Sequence, residues 1–130
     1  MTRLRVLLLL LYVVLIFFVS SRPYLQSPGP DFKFKDKFAH AAEYAVLGAL
    51  LFGNIRWMVS RSRLTTFLFL FAIGVSVAAL DEMFQGYIPG RRTDVTDWLA
   101  DAVGVAVGII FLMQVRPRGA ALARRGGEAK

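Results

Sequence analysis

The stretch ALDEMFQGYIPGRRTDVTDWLADAVG, residues 79–104, holds a dense group of ionisable side chains between two apolar segments. Residues 64–80 before it and 103–115 after it are almost wholly apolar. The polar residues inside it are Asp81, Glu82, Gln85, Arg91, Arg92, Asp94, Asp97 and Asp101. Charges within a bilayer are costly, so they usually face one another or a water-filled cavity. The stretch therefore predicts two membrane helices joined by a turn, with a polar cluster where they meet.

Four apolar runs set the fold class. They are Leu4–Val19, Phe38–Ile55, Leu64–Leu80 and Trp98–Val115. Each has 16 to 18 residues, at the short end of the roughly 17–25 residues with which a helix spans a bilayer. No run has the continuous polar face that the alternative, a soluble helical bundle, would need. We therefore predict an all-α integral membrane protein with four transmembrane helices, in a chain that is 56% hydrophobic.

Proline and glycine mark the connections between the runs. Residues 27–30, SPGP, predict a loop after the first run. Pro89-Gly90 predicts a tight turn between the third and fourth runs, with glycine at positive φ. Pro117 stops the fourth helix. The predicted four-helix domain therefore covers residues 1–115, and residues 116–130 form a basic, glycine-rich tail that we expect to be disordered.

The first run has a second interpretation, as a secretory signal peptide. Arg3 and Arg5 would be its basic start, and Val19 and Ser21 the small residues of a cleavage site. The Arg-Pro pair that follows is a poor context for cleavage. We therefore favour an uncleaved first helix.

The positive charges indicate how the chain lies in the membrane. The net charge is +7, but the basic residues form short clusters between apolar runs, which is typical of membrane orientation rather than of nucleic-acid binding. Ten Lys and Arg residues fall on the side of the N-terminus, the middle connection and the tail, and six fall on the other side. The excess predicts that both termini are cytoplasmic. The absence of cysteine excludes disulfides and thiol nucleophiles.

This orientation places the polar residues at the extracytoplasmic ends of three helices. They form stripes spaced by four residues: Asp36, His40, Tyr44 and Gly48 in the second helix, Asp81 and Gln85 in the third, and Asp97 and Asp101 in the fourth. Gly104 and Gly108 continue the last stripe and predict close helix packing. We predict that His40, Glu82 and Asp101 converge in one water-accessible pocket, with Arg91 or Arg92 over it.

Several of these residues also have ordinary structural interpretations. Asp94 and Asp97 could cap the fourth helix, and the two arginines could be flanking cations. His40 could be a packing histidine, or it could act with a carboxylate as a general acid or base. A lone histidine without a second histidine or a cysteine is a poor zinc signal, whereas oxygen ligands could suit a harder cation with bound phosphate. We predict no metal and no cofactor. Asp101 lies past any capping position, which favours a polar-core or functional role.

Two segments resemble the VanZ-like family of small bacterial membrane proteins. They are DKFAHAAEYAVLGALL, residues 36–51, and DEMFQGYIPGRRTDVTDWLADAVGVAVG, residues 81–108. The positions that match the family pattern are Asp36, Lys37, His40, Tyr44, Leu47, Gly48, Asp81, Glu82, Gln85, Pro89, Gly90, Arg91, Asp97, Gly104 and Gly108. Asp101 stands where the family usually has asparagine, which adds a carboxyl group to the polar cluster.

The resemblance implies a multi-pass protein of the bacterial inner membrane, whose named relative is linked to teicoplanin resistance. We therefore expect an extracytoplasmic pocket that binds an envelope amphiphile, either a lipid-linked cell-wall precursor or a glycopeptide antibiotic. The expected binding residues are Asp36, His40, Tyr44, Asp81, Glu82, Gln85, Arg91, Asp97 and Asp101. One alternative is an enzyme that modifies a lipid headgroup, with His40 or Glu82 as acid or base. Another is an ion-coupled carrier with Asp101 as its proton site.

Single cysteines test the predicted orientation in this cysteine-free chain. A membrane-impermeant thiol reagent applied to intact cells should label Gln26→Cys and spare Ser62→Cys, because the charge bias places the first loop outside. The reverse labelling pattern would move the polar pocket to the cytoplasmic face.

Overall fold

Four helices make up the computed structural model, which describes residues 3–22, 34–55 and 62–115. They are α1 (Arg3–Ser20), α2 (Lys35–Ile55), α3 (Arg63–Gln85) and α4 (Val95–Val115). The all-α prediction is confirmed. The first two loops and the tail, including the predicted SPGP loop and disordered end, lie outside the described residues.

Each helix is long and apolar enough to cross a membrane. Large apolar side chains point outward along all four, and most of the leucines of α1 are about half exposed. Such wide apolar surfaces are found where a protein meets lipid or another protein. The helices also extend past the apolar runs, because the polar segments at their ends are helical as well. Asp81 and Glu82 are therefore buried within the last two turns of α3 rather than lying in a loop.

The connection between α3 and α4 is the tight turn that its sequence predicts. Gly90 has φ of 82°, and the Arg91 N–H donates to the Ile88 carbonyl over 3.0 Å. Proline and then glycine at the two central positions, with φ positive at the second, is the pattern of a type II turn. The turn brings Arg91 back toward the polar end of the bundle.

Glycine lets the backbones of α2 and α4 lie against each other. A Cβ added at Gly104 would sit 2.2 Å from the Ala41 carbonyl oxygen, and one added at Gly108 would sit 1.9 Å from that of Ala45. Gly48 of α2 faces the Val105 carbonyl of α4 in the same way. Small residues are what permit such close approach between membrane helices. This pair of helices forms the most extensive contact of the bundle.

The other two helices complete the core around this pair. The buried apolar side chains are Ile16, Tyr44, Leu47, Leu51, Phe52, Leu70, Ala78, Val105 and Ile109. α1 is fixed to α2 by the Tyr12 hydroxyl, which donates to the Glu43 carbonyl over 2.8 Å. α4 is fixed to α3 by the Trp98 indole, which donates to the Val75 carbonyl over 3.2 Å. These cross-helix bonds join α1 to α2 and α3 to α4.

Alanine at Gly108 should destabilise the protein, because the new Cβ meets the backbone of α2 and cannot be accommodated by a side-chain rotation. We expect a loss of about 1–3 kcal/mol in unfolding free energy, measured by thermal unfolding in one detergent. Gly53→Ala is the matched control, since no atom lies within 4 Å of its added Cβ, and it should be neutral or stabilising by up to about 1 kcal/mol. Equal effects of the two substitutions would contradict the close packing.

Candidate functional site

A histidine–aspartate pair joins α2 to α4 at the polar end of the bundle. His40 Nδ1 lies 3.0 Å from Asp101 Oδ1. Asp101 is fully buried, while the His40 side chain keeps 15% of its surface exposed. The pair lies next to the contact between Gly104 and the Ala41 backbone, where the two helices approach each other closely. The close approach is what allows the short aspartate side chain to reach across.

Glu82 brings α3 to the same point. Its Oε2 atom accepts the backbone N–H of Asp94 over 2.9 Å, and its own carbonyl accepts the Thr93 hydroxyl over 3.2 Å. The loop that leads into α4 therefore holds the glutamate in place. One possible ligand atom from each of His40, Glu82 and Asp101 lies within 4.8 Å of the other two. The structure thus brings together the three residues that were expected to converge.

Two carboxylate oxygens in this cluster lack partners. Among the described residues, Glu82 Oε1 and Asp101 Oδ2 are enclosed and make no hydrogen bond. An unsatisfied buried charge is costly, so such atoms require a physical explanation. His40, Glu82 and Asp101 form one cluster, the three-helix cluster, with a residue from each of α2, α3 and α4.

A second polar group surrounds Asp81 beside the three-helix cluster. Its Oδ2 atom accepts the Ser20 hydroxyl over 2.8 Å and the Gln85 amide over 3.1 Å. The buried Tyr44 hydroxyl is close to the same carboxylate. Ser20 is the last residue of α1, and it was not among the residues expected from the sequence. Ser20 lies at the end of α1, level with the polar residues of the other helices, and this position could have identified it as a site residue.

A cavity of about 270 Å³ opens beside these groups. It is lined by Val19, Ser20, Asp36, Ala39, His40, Glu43, Gln85, Gly90, Arg91, Arg92 and Asp97. Arg91 is held at its wall, where its guanidinium donates to the Gln85 side-chain oxygen over 3.4 Å and to the Arg22 carbonyl over 3.3 Å. Within residues 3–22, 34–55 and 62–115, neither Arg91 nor Arg92 makes an ion pair.

Lys37 ties α2 to the first turn of α4 at the rim. Its ammonium lies 2.7 Å from Asp97 Oδ1 and 3.7 Å from Asp94 Oδ2, and it also contacts the Thr96 hydroxyl. Asp94 caps α4, because its Oδ1 atom accepts the Thr96 backbone N–H over 2.7 Å. The hydrogen bond from the Thr96 hydroxyl holds the pKa of the Asp94 carboxyl below its usual range. Capping therefore accounts for Asp94, whereas Asp97 is an ion-pair partner.

The expected residues occupy two levels at one end of the bundle. Asp36, His40, Gln85, Arg91 and Asp97 line the cavity. The others are buried beneath its walls, and these are Tyr44, Asp81, Glu82 and Asp101. Sequence reasoning had not selected Ser20, Lys37 or Glu43 as site residues. Glu43 lies one turn after Ala39 on α2 and lines the cavity too, so its spacing along the helix could have identified it.

Comparison with known families confirms the resemblance to VanZ-like proteins that the two motif segments suggested. A sequence model for the family described as VanZ/LLP1 matches residues 5–116. The chain belongs to the VanZ/LLP1 family. No curated protein and no solved structure matches it. The match takes in α1 as well as the motif-bearing helices, so this VanZ/LLP1 protein shares its whole helical domain with the family, and it is a multi-pass membrane protein.

The chemistry open to the site follows from its two kinds of charge. The three-helix cluster offers an imidazole and two carboxylates, which are groups that bind cations. The two arginines at the cavity offer planar donors that bind phosphate or carboxylate in a bidentate way. A negatively charged ligand group therefore suits the two arginines of the cavity lining, and a cation suits the buried three-helix cluster.

Replacing Asp101 with leucine should leave the fold intact or make it more stable. A buried carboxylate contributes little net stability, and the His40 side chain left behind can lose its proton to the water of the cavity it lines. Helical content and the thermal midpoint in detergent are the measurements. Ile109→Ala, at a buried position further along α4, serves as the positive control for the sensitivity of the assay. It should lower the unfolding free energy by about 2–5 kcal/mol. A comparable loss in Asp101→Leu would make the carboxylate a structural requirement.

Proposed function

We propose that this protein is an inner-membrane binding protein, whose polar cavity takes the phosphate headgroup of an envelope amphiphile at the extracytoplasmic surface. The observation that carries the proposal is the pair Arg91 and Arg92, which line the cavity and make no ion pair among the described residues. Hydrogen bonds to Gln85 and to the Arg22 carbonyl orient Arg91 at the cavity wall, and arginine in such a position suits phosphate recognition.

The size of the cavity favours one of the two expected ligands. About 270 Å³ is slightly below the usual range for a drug-sized ligand. A phosphate or diphosphate headgroup fits such a volume, whereas a glycopeptide antibiotic is far larger and could contact only the rim. We therefore favour a lipid-linked cell-wall precursor over direct capture of the antibiotic.

The outer surface of the bundle suits the lipid part of such a ligand. Val19 lines the cavity at the end of α1, and Phe18, Phe38 and Phe84 are exposed on the helix ends nearby. An acyl or polyprenyl chain can lie along these apolar faces within the bilayer while the headgroup sits in the cavity. The chain termini and the middle connection carry most of the positive charge, which supports a cytoplasmic position for them. The cavity lies at the opposite end of the bundle, which would then face outward.

Ser20 is the serine at the cavity, and its contacts give it a role in packing. Its buried hydroxyl donates a hydrogen bond to Asp81, which also accepts one from Gln85. This bond joins α1 to α3, so we assign Ser20 a structural role. Because Ser20 also lines the cavity and has a carboxylate within reach, modification of the headgroup is an outcome that the experiment must detect.

Binding of polyprenyl phosphate tests the proposal directly. The purified protein in detergent should bind polyprenyl phosphate and be stabilised by it, while the neutral polyprenol should have little effect. Arg91→Gln with Arg92→Gln should weaken the binding about tenfold or more, because hydrogen bonds to charged groups contribute about 1.5–3 kcal/mol. Arg63→Gln is the matched control, since this exposed arginine begins α3. Equal affinity for the phosphate and the alcohol would overturn the proposal.

A cellular experiment connects binding to antibiotic resistance and to enzyme activity. The wild type, His40→Ala, Glu82→Gln and Arg91→Ala would be expressed in a glycopeptide-sensitive bacterium, and teicoplanin susceptibility and the membrane lipids would be measured. We expect lower susceptibility for the wild type and loss of that effect in the variants, with no altered headgroup. A headgroup change that depends on Glu82 would identify an enzyme. No effect of any substitution would make the cluster structural.

A further inference from the structure

We propose that the three-helix cluster, formed by His40, Glu82 and Asp101, is a binding site for a divalent cation. The inference goes beyond the lipid ligand and stands without it, because it concerns the buried cluster rather than the arginines of the cavity lining. It departs from the sequence-based prediction of no metal, and it develops the alternative that oxygen ligands could hold a cation.

The spacing of the ligand atoms suits a metal ion. His40 Nδ1 and Asp101 Oδ1 are 3.0 Å apart. Two neighbouring ligands in an octahedral sphere, each about 2.1 Å from the ion, are also about 3 Å apart. One possible ligand atom of Glu82 joins one from each of the other two residues, all three within 4.8 Å of one another. Opposite ligands of such an ion are about 4.2 Å apart, so a side-chain movement on the order of 1 Å closes the set.

The unpartnered oxygens are the independent observation that points to a ligand. Glu82 Oε1 and Asp101 Oδ2 are enclosed without a hydrogen bond in the described part of the chain. The two residues are 3% and 0% exposed. Each carboxylate already uses its other oxygen, on the Asp94 N–H and on His40. A cation bound by Glu82 Oε1 and by both carboxylate oxygens of Asp101 would satisfy these two oxygens.

The two negative charges of Glu82 and Asp101 are better balanced by a divalent ion than by a protonated histidine alone. Two carboxylates buried together at membrane depth need compensation. The nearby cations are directed elsewhere, because Lys37 pairs with Asp97 and Asp94, and Arg91 binds Gln85 and a backbone carbonyl. A protonated His40 balances one negative charge, whereas a divalent ion bound to neutral imidazole balances both. The set of one nitrogen and two oxygens suits Mn²⁺ or Zn²⁺.

The position of the site leaves room for further ligands. His40 also lines the cavity, so part of the coordination sphere would face its water. Three protein ligands with open positions are typical of metal sites that bind a substrate oxygen. If the proposed phosphate ligand enters the cavity, its oxygens would meet the ion opposite Arg91 and Arg92. Only this last step rests on the proposed function.

Metal titration without lipid tests the site. The full chain, purified in detergent and stripped of metal with a chelator, would be titrated with Mn²⁺ while the free ion is followed by electron paramagnetic resonance, and Zn²⁺ would then be added as competitor. We expect one ion per chain in the wild type. His40→Ala, Glu82→Gln and Asp101→Asn should each lose about a hundredfold in affinity or more, since even outer-shell changes cost about 10–100-fold.

The control separates a specific site from general acidity. Asp94→Asn removes a carboxylate at the same end of the bundle, outside the cavity lining, and asparagine still caps a helix. It should bind Mn²⁺ as the wild type does. Asp101→Asn is close in shape to the native side chain, and circular dichroism would verify that it folds. No binding to the wild type, or equal weakening by Asp94→Asn, would overturn the proposal. The lipid assay above is run with chelator, so the two proposals fail separately.

Discussion

The contact between the backbones of α2 and α4 is the constraint on which the candidate site depends. At Gly104 and Gly108 no side chain separates α4 from the carbonyls of α2. Because the helices lie so close, the short side chain of Asp101 reaches His40 across the interface. A larger residue at either glycine would move the helices apart and lengthen that contact, even though neither glycine carries a functional group. The packing of the bundle and the chemistry of its polar end therefore depend on the same positions.

The membrane explains why the polar groups gather at one end. An ionisable side chain facing lipid would lose its hydration without gaining a partner. Each helix instead turns its polar residues toward the others, and even α1 contributes the hydroxyl of Ser20 to Asp81. The contacts that result are mainly between helices, so the polar cluster also fixes how α1 and α3 pack on the central pair. Polar groups that suit a ligand thus also specify the arrangement of the bundle.

The site combines two opposite electrostatic surfaces in a small space. The carboxylates of Glu82 and Asp101 are buried behind the cavity lining, which contains Arg91 and Arg92. A phosphate bound by the arginines would neutralise their positive charge, and a cation bound beside it would neutralise the carboxylates. This arrangement gives a common reason for arginines that make no ion pair and for carboxylate oxygens that make no hydrogen bond, both among the described residues.

The sequence alone determined the four helices, the turn at Pro89-Gly90 and the end of the bundle at which polar residues gather. These features follow from local hydrophobicity and helical period, which are properties of neighbouring residues. It could not give the partners, because contacts such as Ser20 with Asp81 or Lys37 with Asp97 depend on the rotation and tilt of separate helices. Only the tertiary structure decided that Asp97 is paired with Lys37, and that Glu82 and Asp101 each keep a buried oxygen without a partner in the described part of the chain. The physical reason is that the pairing of a charge is set by distances across helix interfaces, which residue spacing within one helix does not fix.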